Sequence, residues 1–408
     1  MRLHPLAAYP AAWTICPMRF LLAFAQGGVL SPLLPLLRET FQVSYGELGL
    51  LISMFGLSRV VMDIFAAYLL SRLPLYSLLL QGITLAGVGS LLCALAPSFY
   101  WLVGARVLIG LGISITTLAG LTVIIEATPL TAQGRVNNLL EFSAIGGSAM
   151  SPTLSGLIAS LWHWRGSFAL ALVFVAGAFA WVVFTRQALE EETQVFTSKL
   201  RTDASATPRR VRPAIDRPVQ PPQTTAILIA YLAAFVLSFI WSAFLSTALP
   251  LFGGEVVGLP TSTLGMVFTA GLLVDLLILL PVGWLSDRLD YRVVLTPAML
   301  LMAATLAWFP RAQSLGALLV VSICIHTGFA AWGMPSAALA QLARGDHLRR
   351  TMGIYRFLVD GAVVIAPSLI GILIGRYGYA FPAWLAAAGV ALTAMLVAKG
   401  LRRSPTTP

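Results

Sequence analysis

Long apolar stretches alternate with short polar segments along almost the whole chain of 408 residues. Many of these stretches approach the roughly 20 residues that an α-helix needs to cross the hydrocarbon core of a bilayer. We count twelve, six within residues 14–186 and six within residues 224–399. A soluble protein does not repeat fully apolar helices of this length, so the pattern predicts an all-α membrane protein with twelve transmembrane helices.

The first apolar stretch, Trp13 to Leu37, raises the question of a cleaved secretory signal. It is longer than the apolar region of a signal peptide, and it lacks a small-residue cleavage site. Further spans follow it directly. We therefore predict that it remains in the protein as the first transmembrane helix.

Residues 187–223 separate the two sets of helices. The segment contains the three consecutive glutamates Glu190 to Glu192 and ends in a stretch rich in proline and arginine. A segment of this composition has little apolar surface to bury. We predict a mobile cytoplasmic linker between an N-terminal bundle, residues 14–186, and a C-terminal bundle, residues 224–399.

The two halves resemble each other when one is shifted by about 215 residues. In this register Gly49 matches Gly265, and Pro152 matches Pro367. Agreement of glycines and prolines predicts a duplicated six-helix unit. Such repeats are typical of transporters, in which two similar bundles open a central site alternately to either side of the membrane.

Composition and charge agree with a lipid environment. Hydrophobic residues make up 58% of the chain and charged residues only 10%, whereas soluble domains carry about 25% charged residues. The net charge of +10 would suit a nucleic-acid partner. The basic residues instead gather in alternate loops, with Arg19 counted on the cytoplasmic side, as the positive-inside rule requires. We predict no nucleic-acid partner and a multi-pass protein of the cell inner (plasma) membrane with both termini in the cytoplasm.

The sequence gives no sign of a metal site, a cofactor or a catalytic centre. The three cysteines lie in apolar runs without the spacing of metal ligands. The four histidines are scattered, and the chain has no HExxH motif, no nucleophile elbow and no Walker-type phosphate loop. We therefore predict no metal, no cofactor and no enzyme activity.

Several short motifs resemble those of the major facilitator superfamily. Residues 283–292, with the sequence GWLSDRLDYR, resemble the GxLxDRxGRR loop of that family. Residues 106–112 resemble its RxxxGxG motif, and residues 147–156 resemble the GxxxGPxxGG motif of its antiporters. The resemblance covers both halves. It implies the major facilitator fold, two pseudo-symmetric six-helix bundles working by alternating access, and it points to the drug or metabolite:proton antiporters.

Two pairs of opposite charges lie inside predicted spans. Arg59 and Asp63 are four residues apart in the second span, and Arg356 and Asp360 are four apart in the eleventh. Each pair is predicted to meet on one helix face. A charge in the bilayer is costly, so each pair either neutralises itself or has a function. For Asp360 we favour binding of a proton or of an amine substrate.

Three further polar residues lie near the middle of predicted spans. Asp275 is a candidate proton or cation site, unless it has a structural partner that the sequence does not reveal. His326 could shuttle protons or simply pack in the protein interior. Arg106 could bind an anionic substrate or a proton-bearing carboxylate, a role near the central cavity that the resemblance also implies. Alternatively, its side chain extends towards the outer membrane interface.

A cytoplasmic gate and a cavity wall complete the candidate site. The gate is predicted from charged residues at the inner ends of spans, with Glu126 paired to an arginine and Asp287 capping a helix: Arg72, Glu126, Arg135, Asp287, Arg288 and Arg292. The wall is predicted from polar and aromatic residues of inner spans, for which ordinary packing is the alternative: Gln26, Trp241, Phe244 and Trp332.

The leading functional prediction is proton-coupled efflux of a small amphipathic or cationic molecule by a monomer. The alternative is a proton-coupled uptake symporter for a sugar, a carboxylate or another nutrient, because the antiporter-type motif is only partly kept. A non-transporting membrane sensor is a remote third possibility. Since Asp360 and His326 both lie in the C-terminal half, we expect the coupling chemistry to concentrate there.

Overall fold

A computed structural model describes residues 10–26, 28–128, 130–187, 224–343 and 346–401. In the N-terminal half the helices are α1 (Pro10–Gln26), α2 (Leu34–Phe41), α3 (Tyr45–Arg72), α4 (Leu75–Ala94), α5 (Phe99–Ala127), α6 (Leu130–Leu161) and α7 (Trp164–Phe184). In the C-terminal half they are α8 (Thr224–Ile240), a π-helix (Trp241–Ala248), α9 (Leu249–Glu255), α10 (Thr261–Arg288), α11 (Tyr291–Trp308), α12 (Leu315–Phe329), α13 (Met334–Leu342), α14 (Asp346–Tyr377) and α15 (Ala380–Gly400). The predicted linker, apart from Gln187, lies outside the described residues.

Eleven helical segments of the described residues are long and apolar enough to cross a membrane. Three of them combine consecutive elements: Ala12–Phe41, Thr224–Glu255 and Leu315–Leu342. The remaining predicted span corresponds to α6, whose 32 residues are long enough to cross but begin with polar turns. The prediction of an all-α membrane protein is confirmed.

Short polar residues fix where several helices begin. The Ser44 hydroxyl accepts a hydrogen bond from the Glu47 backbone N–H at 3.2 Å, and Glu47 accepts one from the Ser44 backbone N–H at 2.9 Å. This capping box satisfies backbone donors at the start of α3. Ser98 and Ser314 cap α5 and α12 by a single bond each, in which the serine hydroxyl accepts from a backbone N–H three residues on. The long helices therefore start at polar positions that the sequence places between apolar runs.

Each half has its own buried core. One cluster of buried residues lies within residues 12–182, joined by Leu251, and a second lies within residues 229–401.

Four helices of each half face the other half. In the N-terminal half they lie side by side in the order α6, α1, α5, α3. In the C-terminal half the order is α10, α12, π-helix with α8, and α14.

The halves meet along two seams, α3 against α14 and α6 against α10. Glycines let the backbones come close at both seams. If Gly49 carried a Cβ, that atom would lie only 2.6 Å from the carbonyl carbon of Pro367, and a Cβ on Gly265 would lie 2.8 Å from the carbonyl carbon of Pro152. Small residues allow this approach, and it is common between transmembrane helices. We call the region between the two seams the central space; the helices on either side of it are α1, α5, α8 with the π-helix, and α12 with α13.

The seams are tightest at one end of the molecule, which we call the closed end. There Gly371 approaches the Tyr45 carbonyl and Gly156 approaches the Thr261 carbonyl. Along α3 and α14 the contacts continue through a hydrogen bond between the Ser53 and Ser368 hydroxyls, 3.0 Å apart. The opposite end carries Arg72, Arg288 and the other residues of the predicted gate.

Helices that wall the central space depart from regular α-geometry in three places. α1 ends at Gln26, and the chain resumes as a 3₁₀ turn at Ser31–Leu33. The π-helix Trp241–Ala248 interrupts the seventh span, and residues 330–333 separate α12 from α13. Such breaks often mark binding sites in transporters, because they free backbone groups inside the membrane.

Replacing Gly49 by Ala is expected to destabilise the protein. The new methyl group would overlap the Pro367 backbone, and overpacking of this kind costs about 1–3 kcal/mol. Gly353→Ala on α14 is the matched control, because a Cβ there meets nothing within 4 Å. Thermal unfolding of purified protein should show a lower Tm only for Gly49→Ala. Equal Tm values for the two variants would show that the α3/α14 seam is not tight.

Candidate functional site

Four charges meet across the α3/α14 seam and form what we call the charge quartet: Arg59, Asp63, Arg356 and Asp360. Arg356 Nη2 donates to Asp63 Oδ2 at 2.8 Å, and its Nε donates to Asp360 Oδ2 at 2.6 Å. The Ser114 hydroxyl on α5 donates to Asp63 Oδ1 at 2.7 Å. The antiparallel packing of α3 and α14 brings each Asp to the level of the opposite Arg.

The quartet confirms one predicted contact and corrects another. Arg356 and Asp360 pair on one face of α14, as their spacing predicts. Arg59 and Asp63 do not pair: Asp63 turns to Arg356 and Ser114, and the buried Nε of Arg59 has no partner among the described residues. The reason is that helix α14, which sequence spacing cannot locate, supplies a closer cation.

Exposure differs strongly within the quartet. The Asp360 side chain is only 13% exposed, whereas that of Asp63 is 27% and that of Arg356 is 52% exposed. The set as a whole is neutral, which lowers the cost of placing charge inside the membrane. A proton on either carboxylate would leave Arg356 with a single anionic partner. The ionic bond between the halves therefore depends on the charge of these two carboxylates.

Arg106 is buried where α1, α3 and α5 meet. It is 1% exposed, its Nη2 donates to the Gln26 carbonyl at 3.2 Å, and its guanidinium lies 4.6 Å from the centre of the Phe55 ring. It therefore does not extend to the membrane interface. Nη1 is buried without a partner among the described residues. A cation at the C-terminal end of α1 also stabilises that helix end, where carbonyls lack donors.

The position of Arg19 differs from the prediction that it lies on the cytoplasmic side. It lies in the middle of α1 rather than in a cytoplasmic segment, and its Nη1 donates to the Thr117 hydroxyl on α5 at 2.7 Å. The distribution of basic residues predicted a cytoplasmic position because Arg19 is close to the start of the first span. A polar partner on another helix is what keeps it inside.

Asp275 lies on the inward face of α10. It is 7% exposed, while Leu273 and Leu277, which point away from it around the helix, are 47% and 73% exposed. No hydrogen bond or ion pair joins it to another described side chain.

His326 lies nearby on α12. Its Nδ1 donates to the Ser322 carbonyl at 2.8 Å, and its ring packs edge-on against Trp241. His326 is thus buried, with one ring nitrogen satisfied.

Three aromatic rings stack beside the central space. Trp241 and Phe329 have ring centres 4.4 Å apart, and Phe329 and Trp332 have centres 5.4 Å apart. Trp332 Nε1 also donates to the Ser238 hydroxyl on α8 at 3.3 Å. Sequence reasoning missed Phe329, although its spacing of three residues from Trp332 is a usable signal.

The other predicted wall residues have different surroundings. Phe244 is 1% exposed and packs edge-on against Phe309 in the C-terminal core. It is therefore a core residue in this conformation. Gln26 contributes its backbone carbonyl to Arg106, and its side chain is half-buried at the end of α1.

The predicted cytoplasmic gate is not assembled among the residues whose side chains are described. Arg72 lies over Tyr68, and Arg288 lies over Trp284, each on its own helix. Arg292 Nε donates to Asp290 Oδ2 at 3.1 Å. The side chains of the remaining gate residues lie outside the described part of the structure: Glu126, Arg135 and Asp287.

The closed end holds a polar cluster that sequence reasoning missed, which we call the Glu255 lock: Arg38, Tyr45, Glu255 and Tyr379. Glu255 accepts from Arg38 Nη1 at 2.9 Å, from the Tyr45 hydroxyl at 2.6 Å and from the Tyr379 hydroxyl at 3.0 Å. Burial, and then the negative charge of Glu255, raise the pKa of Tyr379, so its hydroxyl stays protonated as a donor. Arg38 and Tyr45 belong to the N-terminal half and the other two to the C-terminal half, so the lock joins the halves beside a cleft of about 560 Å³.

Known proteins share both the sequence pattern and the fold. The family model described as Major Facilitator Superfamily matches residues 16–266 and 231–408. An uncharacterised MFS-type transporter of Bacillus subtilis, YwfA, is 25% identical over 88% of this chain and 84% of its own length. The hexuronate transporter of the same organism is 22% identical over 89% of this chain and 87% of its own length.

One further protein resembles part of the chain in sequence, and a solved structure shares its whole fold. The multidrug resistance protein Stp of Mycobacterium tuberculosis is 29% identical over 147 residues, which is 36% of this chain but only 27% of Stp. The xylose transporter XylE of E. coli in its inward-open conformation superposes with a TM-score of 0.75, at 15% identity over 98% of each chain. With a family model that covers both halves and a fold of this kind, the chain belongs to the Major Facilitator Superfamily and is a multi-pass membrane transporter rather than an enzyme.

Proposed function

We propose that this transporter is a proton-coupled exporter of small amphipathic or cationic molecules, working as a monomer by alternating access. The observation that carries the proposal is the charge quartet, in which one arginine joins carboxylates from both halves. In the proposed topology both termini lie in the cytoplasm and the membrane is the cell inner (plasma) membrane. The closed end then faces outwards, because the basic loops lie at the opposite end.

Protonation of the quartet links proton binding to the position of the halves. When Asp63 or Asp360 takes up a proton, the neutral set gains a positive charge and Arg356 loses one ionic partner. If the proton is on Asp63, the bond that crosses the seam is weakened. If it is on Asp360, Arg356 is free to pair fully with Asp63. The two protonated forms thus favour different contacts between α3 and α14, which is what coupling requires.

Two observations support export. Residues 147–156, which resemble the antiporter motif, include Gly156 and its close contact with Thr261 on the α6/α10 seam. Stp, which shares a 147-residue match with this chain, is a multidrug resistance protein. In the proposed cycle, substrate enters from the cytoplasm while the Glu255 lock is closed. Opening of the lock releases substrate outwards, and a proton then returns to the quartet.

Uptake of a sugar, a carboxylate or another nutrient with protons is the second candidate. It is supported by the hexuronate transporter, which matches this chain over most of both lengths. Arg59, which has no ion pair among the described residues, would be available to a carboxylate substrate. A non-transporting sensor is the third possibility, and it has no specific observation in its favour.

Direction of flux separates these candidates. Cells producing the protein should be tested with a panel that contains toxic organic cations, sugars and sugar acids. Export predicts better growth on the toxic cations and lower cellular content of them. Uptake predicts accumulation of a sugar or a sugar acid instead, and a sensor predicts no change for any compound. Either of the last two results would contradict the proposal.

A further inference from the structure

The stack of Trp241, Phe329 and Trp332 lies where two inner helices lose regular α-geometry. Trp241 is the first residue of the π-helix, Phe329 is the last residue of α12, and Trp332 lies in the turn before α13. Trp332 is 38% exposed, and Trp241 is half-buried. Two indole rings of the stack therefore keep accessible surface.

Asp275 lies at nearly the same depth as this stack. The Ser322 hydroxyl on α12 donates to the Val267 carbonyl on α10 at 2.9 Å. One turn further along both helices, Gly271 packs against His326. The two helices therefore run side by side in parallel. A further turn brings Asp275 to the level of Ala330, the residue that follows Phe329.

The Asp275 carboxylate needs a partner that the described protein does not supply. A charge near the bilayer centre is costly unless it is paired or neutralised. Asp275 is buried on the inward face of α10, and no described side chain forms a hydrogen bond or ion pair with it. A bound cation or a proton would remove the cost.

We propose that Asp275 and the aromatic stack together bind a flat organic cation, a ring system whose positive charge is spread over the rings or carried by a quaternary nitrogen. This proposal rests on the proposed function and specifies the substrate of that exporter. Indole faces attract cations and also stack on planar rings. The carboxylate supplies the charge that an uncharged ring lacks, so the site selects for charge as well as for shape.

Compact ammonium ions and sugars fit this site less well. A small, strongly hydrated ammonium loses more on leaving water than it gains from the rings. A sugar could stack on an indole ring, but it would gain nothing from the charge of Asp275. The chemistry therefore favours large, weakly hydrated cations.

Equilibrium binding to the purified full-length protein tests this site. Ethidium is the cationic probe, and phenanthridine is its uncharged ring counterpart; both are followed by quenching of tryptophan fluorescence. Asp275→Asn should weaken ethidium binding about tenfold, equivalent to about 1.4 kcal/mol, and should leave phenanthridine binding unchanged. Asp275→Glu should keep most of the preference for ethidium, which separates loss of charge from a folding defect. Trp332→Leu should weaken binding of both probes.

The control variants are Trp101→Leu and Glu39→Gln, at exposed positions outside the stack. Both should bind ethidium like the unaltered protein. If Asp275→Asn binds ethidium as tightly as the unaltered protein does, or Trp332→Leu binds both probes normally, the site is not as proposed. Binding at equilibrium needs no proton gradient, so this result is independent of whether transport is proton-coupled.

Discussion

Asp360→Asn is expected to reduce proton-driven transport to the level of protein-free liposomes while leaving exchange of substrate across the membrane intact. Asn cannot take up a proton, and it leaves Arg356 permanently with Asp63 as its only anionic partner in the quartet. The protein can then still alternate with substrate bound, but proton binding no longer drives the change. The most buried carboxylate of the quartet should therefore give the largest loss.

Purified protein in liposomes allows both activities to be measured with one substrate. Transport is followed first with an imposed pH gradient, and then without a gradient, with substrate present on both sides. Glu39→Gln is the matched control, because Glu39 is an exposed carboxylate and its substitution should leave both rates unchanged. Normal proton-driven transport by Asp360→Asn would remove this residue from the coupling role. Loss of both activities would point to a folding or binding defect instead.

Glu255→Gln is expected to open the closed end. The substitution removes the charge that holds Arg38, Tyr45 and Tyr379 together. Hydrogen bonds to charged groups contribute about 1.5–3 kcal/mol each, less where solvent screens them, as it does for the partly exposed Arg38. A net loss of about 1.4 kcal/mol would shift a two-state equilibrium about tenfold. The fraction of molecules that are open to the outside should rise by about that factor.

Chemical labelling measures this opening. In a variant without its natural cysteines, Ser368→Cys places a single thiol in the α3/α14 seam near the closed end. A membrane-impermeant maleimide added outside intact cells should label this thiol about tenfold faster when Glu255→Gln is also present. Tyr379→Phe should give a smaller increase, and Gln81→Ala, at an exposed position on α4, none. Equal labelling with and without Glu255→Gln would show that the lock does not hold the closed end shut.

Features within one helix or repeated along the chain could be predicted from the sequence. The length of the apolar stretches predicted the transmembrane helices. The i,i+4 spacing of Arg356 and Asp360 predicted an ion pair, which the structure contains. Gly49 and Gly265, matched in the repeat, lie on the two seams in equivalent close contacts. Each of these depends on local spacing or on the duplication, and both are visible in one sequence.

Contacts that depend on how the halves pack could not be predicted in this way. Asp63 pairs with Arg356, from which it is separated by 293 positions, and this requires the antiparallel register of α3 and α14. Two of the four quartet residues come from the N-terminal half, and the expectation that coupling chemistry concentrates in the C-terminal half stays a prediction. The role of Glu255 in joining the halves could not be predicted, because acidic residues are common at the ends of transmembrane spans. Phe244 packs in the C-terminal core rather than on the cavity wall, because which face of a fully apolar helix meets the core depends on its neighbours and not on its composition.

The most direct test of proton-coupled export is to measure substrate and proton movement together in the same liposomes. Vesicles containing the protein and an internal pH indicator are given an outward gradient of a substrate found in the growth panel, with no initial pH gradient. The proposed mechanism predicts that substrate leaving the vesicles drives protons inwards, so the internal pH falls. Asp360→Asn should show no such change. Substrate efflux with no change in internal pH, or with protons leaving alongside the substrate, would contradict proton-coupled export.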